Sequence, residues 1–280
     1  MTLDHYAVLG NPVAHSRSPF IHAQFARQTG QRLQYDRLLC PLDGFAATVR
    51  EFEAAGGRGC NVTVPFKFET LALAPHHSDR AALAGAANVL RFDADGWYAD
   101  NTDGIGLVHD IEQGAGVPLA GTHVLLVGAG GAGAGVLGPL LAARPASVVV
   151  ANRTVDRAQA LVHRHAEVAT QHGVVLSARS LASPGGPYEI VLNASASSLQ
   201  GLASPVHGEV LVPGALAVDL MYGPAAEPFL AWAQAHRARA RDGLGMLVEQ
   251  AAEAFALWRG VHPQTAPVLQ ALRAELAAGR

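Results

Sequence analysis

The chain has 280 residues, half of them hydrophobic and 15% charged, with 30 Gly, 16 Pro and a mean hydropathy of +0.18. That composition excludes a disordered or collagen-like polypeptide, and at roughly 100–200 residues per domain the length accommodates about two cores. A net charge of −3 and a pI near 6.5 give no electrostatic footprint for nucleic acid or an anionic membrane, so a small-molecule partner is the expectation.

Apolar periodicity predicts a strand over His5–Leu9, a helix over Pro19–Gln28, a strand over Leu33–Cys40, a helix over Gly44–Ala55 and a strand over Asn61–Val64. Helical signal returns near Asp79–Ala86, and a hairpin is predicted from Asn88–Phe92 to Trp97–Asp100. Asp103–Gln113 reads as a helix closed by Gly114. A second α/β series follows the loop 114–121. It comprises a strand over Val124–Val127, a helix over Ala132–Ala143, a strand over Val148–Ala151, a helix over Asp156–His172, and strands near Val174–Ala178, Ile190–Asn193 and Ala217–Leu220. Parallel strands with right-handed crossovers are the expected product. Three helices are predicted at the end: Pro228–Arg239, Leu244–Arg259 and Ala266–Ala278.

Two cysteines, Cys40 and Cys60, are too few for a disulfide framework and suit a reducing compartment. The first ten residues carry Asp4 and lack a basic region and a long apolar run, so they do not read as a signal peptide. Val124–Ala143 is uncharged over about the span of a membrane helix, but its Gly-rich middle has a better reading, and no membrane partner is expected. The scattered histidines lack the spacing of a zinc site, so no metal is expected.

That better reading is a nucleotide turn. The strand at 123–127 runs directly into Gly128, Ala129, Gly130, Gly131, Ala132 and Gly133, and a helix follows. A GxGxxG between strand and helix lets backbone N–H groups approach a pyrophosphate at a positive helix end. At the end of the next strand stand Asn152, Arg153 and Thr154, with no acidic residue to take a ribose 2′-hydroxyl. Arg accommodates a 2′-phosphate, so NADP is favoured over NAD.

Of the 20 cationic side chains one is lysine, Lys67, and the other 19 are arginines. Arg holds its proton, whereas a Lys pKa moves with burial and neighbours, which makes Lys67 a candidate proton donor. Ser16 and Ser18 precede Pro19, which suits a first helical turn; two hydroxyls there form a carboxylate pocket, although Ser18 reads equally as a plain N-cap. Thr63, Lys67, Asn88 and Asp103 stand near other strand ends, where open parallel sheets bind ligands. This set suits a polyhydroxylated acid.

The segments GNPVAHSRSPFIH, GCNVTVPFK, ALAGAANVL, DNTDGIG, GAGGAGAGV, NRT and DGLGMLVEQAAEAF, in that order across essentially the whole chain, resemble the shikimate dehydrogenase family. The resemblance implies reversible NADPH-dependent reduction of 3-dehydroshikimate to shikimate in chorismate and aromatic amino acid biosynthesis. It implies two α/β domains: an open-sheet substrate domain over 1–102, completed by C-terminal helices over 243–280, and a Rossmann-type NADP domain over 103–242. Within them, Lys67 and Asp103 are catalytic. Ser16, Ser18 and Tyr222 take the carboxylate, and Thr63, Lys67, Asn88, Asp103 and Gln250 contact ring hydroxyls. NADP falls to Gly128, Ala129, Gly130, Gly131, Ala132, Asn152, Arg153 and Thr154, with Leu220 and Gly243 at the nicotinamide and Asp79 as an acidic cofactor position. A cytoplasmic enzyme is implied, with a homodimer left open. A quinate/shikimate dehydrogenase and a catalytically silent NADP sensor are the alternatives. Three departures from the family pattern stand out: Ser195–Ser198, where Thr followed shortly by Gly is usual and Ser198 stands where Gly is common, Phe68 after Lys67, and Glu249 before Gln250.

Overall fold

The computed structural model describes residues 3–198, 201 and 204–278, and strands alternate with helices along nearly all of it. The chain divides into two units, Met1–Gly106 with Leu247–Arg280, and Leu107–Met246. The first unit begins with β1 (Asp4–Gly10), α1 (Ser18–Thr29), β2 (Leu33–Leu39), α2 (Phe45–Ala54), β3 (Gly57–Val62) and α3 (Lys67–Leu73). It continues through β4 (His76–His77), α4 (Asp79–Ala84), β5 (Val89–Asp93), β6 (Gly96–Asp100) and the start of α5 (Asp103–His109). Its sheet order is β2-β1-β3-β5-β6-β4. β1 lies parallel to β2 and β3, whereas β5 runs antiparallel to β3 and β6. From Tyr6 to Leu9 β1 is a continuous apolar run, buried because both faces of a strand flanked by two others are covered. Leu9, Phe45, Val49, Val62, Phe66 and Leu90 form the core on one side; Tyr6, Val8, Val13 and Tyr35 form a smaller cluster.

The second unit holds β7 (His123–Val127), α6 (Gly131–Ala142), β8 (Ser147–Asn152), α7 (Val155–His172), β9 (Val175–Ser180), β10 (Tyr188–Asn193), β11 (Leu211–Asp219), α8 (Glu227–Ala235) and β12 (Arg239–Arg241). The order β12-β11-β10-β7-β8-β9, parallel throughout, is that of a doubly wound sheet whose direction of winding reverses between β7 and β10. α9 (Leu244–Arg259) and α10 (Ala266–Ala277) close the chain, and α10 packs on α1.

Three local expectations change. The helix predicted over Pro228–Arg239 stops at Ala235, because Arg237 takes a left-handed φ of 61° and the chain turns into the edge strand β12. The helix predicted over Asp103–Gln113 widens at its end: Ala115 N–H reaches the carbonyl of Asp110, five residues back. There the Asp110 carboxylate is buried against the Arg241 guanidinium, and a Cβ at Gly114 would meet both side chains. α3 and β4 were not expected; both are too short for periodicity to mark. Cys40 and Cys60 are buried free thiols. Among the described residues no helix is long and apolar enough to cross a membrane, and no group of acidic, His and Cys side chains could hold a metal.

Candidate active site

Alternating strand directions gather the polar residues of the first unit at one sheet edge. Because β5 runs antiparallel to β3, Asn88 at its start lies beside the end of β3, from which Thr63 and Lys67 continue. β6 returns antiparallel to β5 and delivers Asn101, Thr102 and Asp103 to the same edge. Lys67 Nζ donates to Asp103 Oδ2 at 2.5 Å, and the two side chains are only 14% and 6% exposed.

Asn88 organises this pair. Its Nδ2 donates to Asp103 Oδ1 at 2.9 Å, to Thr102 Oγ1 at 3.0 Å and to Gln250 Oε1 at 3.1 Å. Its Oδ1 accepts the Thr102 N–H at 2.8 Å. Gln250 comes from α9, which approaches α5 so closely that a Cβ at Gly106 would overlap its backbone. Its Nε2 donates to Leu247 C=O at 2.8 Å, so the amide satisfies the backbone and still turns its oxygen toward Asn88. Buried polar groups are stable only when paired, and this cluster is paired throughout. It is a cross-linked polar cluster that holds one carboxylate against one ammonium, suited to holding a neighbouring hydroxyl and moving a proton at its oxygen.

Ser16 Oγ donates to Ser18 Oγ at 3.2 Å and accepts the Ser18 N–H at 3.3 Å, while Arg37 Nε donates to Ser16 C=O at 2.8 Å. Arg17, not Ser18, occupies the cap position of α1, without a side-chain cap bond. The plain N-cap reading of Ser18 therefore falls away. Thr63 follows β3, with its N–H on Leu9 C=O at 2.9 Å and its methyl where a Cβ on Gly10 would sit. Asp79 also belongs to this unit, exposed at the start of α4, which Ser78 caps through the Ala81 N–H.

In the second unit the glycines between β7 and α6 each answer a different demand. Gly128 has φ 109° and a Cβ there would strike Ala194 at 2.9 Å; a Cβ at Gly133 would collide with the Gly128 carbonyl. Gly130, the residue before α6, has nothing within 4 Å of its absent Cβ, so a ligand can reach the backbone there. The first N–H groups of a helix have no intrahelical partner and, with the helix dipole, favour an anion. Asn152 Oδ1 accepts the Ala129 N–H at 3.2 Å and its Nδ2 donates to Thr154 C=O at 2.8 Å, which ties the end of β8 to the glycine turn. Arg153 and Thr154 are exposed beside them. An open backbone cradle flanked by a cationic side chain fits the pyrophosphate and 2′-phosphate of NADP.

Leu220 and Gly243 also meet: Gly243 N–H donates to Met221 C=O at 2.8 Å, and a Cβ on Gly243 would run into the Leu220 carbonyl. Tyr222 follows, half-buried. Below this segment Asp219 is fully buried and receives Met221 N–H at 2.9 Å, Asn193 Nδ2 at 3.3 Å and the Ser198 hydroxyl. Burial pushes its carboxyl pKa up while those donors oppose the shift. Ser198, unusual for the family pattern, is thus a buried partner of Asp219. Asn61, Thr102 and Asp219 carry bonds in these clusters that sequence reading did not single out; the strand-end position of Asn61 in GCNVTVPFK was the available signal.

Family models match three stretches. Residues 8–90 match the shikimate dehydrogenase substrate binding domain, 111–207 the shikimate/quinate 5-dehydrogenase model, and 243–273 the shikimate 5′-dehydrogenase C-terminal domain. A shikimate dehydrogenase (NADP(+)) of Acidovorax sp. (strain JS42) is 63% identical over 276 residues, covering 99% of this chain and 98% of the relative. The solved structure of an Ael1 enzyme from Pseudomonas putida aligns with a TM-score of 0.86 and 44% identity, over 96% of this chain and 98% of its own. Shikimate 5-dehydrogenase from Thermus thermophilus, solved in complex with NADP(H) and shikimate, aligns with a TM-score of 0.83 and 31% identity over 97% and 99%.

Proposed function

Because the chain belongs to the shikimate dehydrogenase family, we propose that it catalyses the reversible NADPH-dependent reduction of 3-dehydroshikimate to shikimate. The observation that carries this reading is the buried ion pair of Lys67 and Asp103 beside a hydrogen-bonded cluster of Asn88, Thr102 and Gln250. The first unit, with α9, serves as the substrate domain and the doubly wound unit as the NADP domain. Gly128–Ala132 and Asn152–Thr154 would hold NADPH, which would supply the hydride. Lys67 gives its ammonium proton to the ketone oxygen as that oxygen gains charge, and takes the proton from the alcohol in the reverse direction. Asp103 holds the ammonium by a charge-assisted bond and accepts from a ring hydroxyl, while Asn88, Gln250 and Thr63 meet the remaining hydroxyls. Ser16 and Ser18 take the carboxylate. Tyr222, Leu220, Gly243 and Asp79 join the site on the strength of the family resemblance.

A spectrophotometric assay of purified protein with shikimate and quinate against NADP and NAD tests the reading. Shikimate-dependent NADPH formation is expected; its absence would sink it, and a faster reaction with quinate would move the chain to the quinate/shikimate class. The intact Lys67–Asp103 pair weighs against a silent sensor. Two finer points belong to the same reading, a cytoplasmic setting and a homodimer, and light scattering of the purified protein tests the second.

Arg153 makes a separate prediction. A charge-assisted bond is worth about 1.5–3 kcal/mol, so Arg153→Ala should lower the preference for NADP over NAD by about 10- to 100-fold. The ratio of kcat/KM for the two cofactors reads this directly, and an unchanged ratio removes Arg153 from the site.

A further inference from the structure

Asn101 lies between β6 and α5 and is 1% exposed, so its amide is spent within the protein rather than on a ligand. Its Nδ2 donates to Ala86 C=O at 2.9 Å, and its Oδ1 accepts the Asp103 N–H at 3.2 Å. An Asn side chain meets the backbone two residues on in this way where a chain turns. The bond to Ala86 carries the contact further. The N–H of the same peptide, that of Ala87, donates to Lys67 C=O at 2.8 Å, and Lys67 Nζ in turn reaches Asp103 Oδ2. Four hydrogen bonds therefore close a ring: Lys67 backbone to the 86–87 peptide, that peptide to Asn101, Asn101 to the Asp103 backbone, and the Asp103 carboxylate to the Lys67 ammonium. The Asn101 backbone is pinned from outside the ring. Its N–H donates to Asp100 Oδ1 at 2.7 Å, and the buried Asp100 carboxylate is gripped by Arg80 through Nε at 2.6 Å and Nη2 at 2.5 Å.

We infer that Asn101 is a positioning residue for proton transfer: by tying the Asp103 backbone to the peptide that holds Lys67, it sets the separation across which the ammonium and the carboxylate meet. The inference rests on the reading that Lys67 exchanges the proton. A lysine carries its charge on a flexible four-carbon stem, so the ammonium is held no better than the two backbones behind the ion pair. Asn88 acts on the Asp103 carboxylate at Oδ1, whereas Asn101 acts on the Asp103 backbone at its N–H and on Lys67 through one intervening peptide. A misplacement of about 1 Å at a reacting group costs about 10²-fold in rate. Thr63, Asn88 and Gln250 hold the substrate hydroxyls whether or not Asn101 is present, so the loss falls mainly on kcat.

The test is a double-mutant cycle of Asn101→Ala and Lys67→Ala, read as kcat and KM for shikimate with NADP saturating. Asn101→Ala should lower kcat about 10- to 100-fold with KM within about threefold, and should cost less than about threefold more when Lys67 is already Ala. A merely structural role would take the same factor from the residual activity of Lys67→Ala. That additivity would overturn the inference, as would an unchanged kcat or a rise in KM larger than the fall in kcat. Wild-type turnover in Lys67→Ala alone would instead overturn the proton-transfer reading on which it rests. A thermal melt checks that each variant is folded. Should Asn101→Ala melt below the assay temperature, Asn101→Ser takes its place in the same cycle: it keeps a hydroxyl for the Asp103 N–H but cannot bridge to Ala86. Its expected fall in kcat is about tenfold, absent when Lys67 is Ala, and the overturning outcomes are the same.

Discussion

Lys67→Ala is expected to lower turnover by about 10²–10⁴, the usual contribution of general acid–base catalysis, with a comparatively modest change in KM for shikimate. Proton transfer needs a group that can release its proton, reach the reacting oxygen and be held still. The last condition is met by the 2.5 Å bond to Asp103 and by the place of Lys67 as the first residue of α3. Lys67→Arg separates charge from proton transfer: a guanidinium keeps the pairing with Asp103 but not the chemistry, so this variant should fail as well. A fully active Lys67→Arg protein would exclude the proton role. Both partners are nearly buried, so Lys67→Ala leaves the Asp103 carboxylate supported only by neutral donors, and breaking such a pair costs about 3–5 kcal/mol in stability. Turnover is therefore to be compared at a temperature where a melting curve shows each variant folded. Asp103→Asn keeps an acceptor oxygen on the ammonium without the charge, and its activity should fall between wild type and Lys67→Ala.

Chemical oddity made parts of this site legible in the sequence. A single lysine among 20 cationic side chains is visible by inspection, and GAGGAG between an apolar run and a helix has few other uses. The parallel strands of the second unit were legible too, because the runs around 124–127, 190–193 and 217–220 are rich in apolar residues that are buried. The bond between Tyr35 and Asn61 was not, because it follows from two register relations across β1 between residues 26 apart in sequence. The wide last turn after α5 was not legible for the same kind of reason: it accommodates Asp110 against Arg241, a pairing over 131 residues. Gln250 lay between the two cases. Its helical face is apolar, and only the approach of α9 at Gly106 reveals that the amide oxygen faces Asn88.

His22 makes the stability of the fold depend on pH. Its ring is 0% exposed, stacked on Tyr35 and edged by Phe25, with Phe255 and Trp258 completing the surround. Asn61 lies close enough to favour the charged form, yet neither ring nitrogen meets a partner at hydrogen-bonding geometry. Burial dominates and holds its pKa down to about 3, against about 6.5 for an unfolded chain. Below about pH 6.5 the unfolded ensemble therefore binds a proton that the native state refuses. The contribution to stability is complete above that pH and is lost on acidification, at up to about 1.4 kcal/mol per pH unit, until the native ring titrates. His22→Phe keeps an aromatic stack and removes the proton site, so its stability relative to wild type should improve by about 2–3 kcal/mol between pH 7 and pH 4.5. Urea unfolding of both proteins across that range measures the difference, in which the second buried imidazole, His165, with its pKa also lowered by burial, cancels. Any packing strain from the larger ring displaces the whole difference curve without tilting it. A flat curve would mean that His22 accepts its proton inside the folded protein, with the Asn61 amide turning to receive the new N–H.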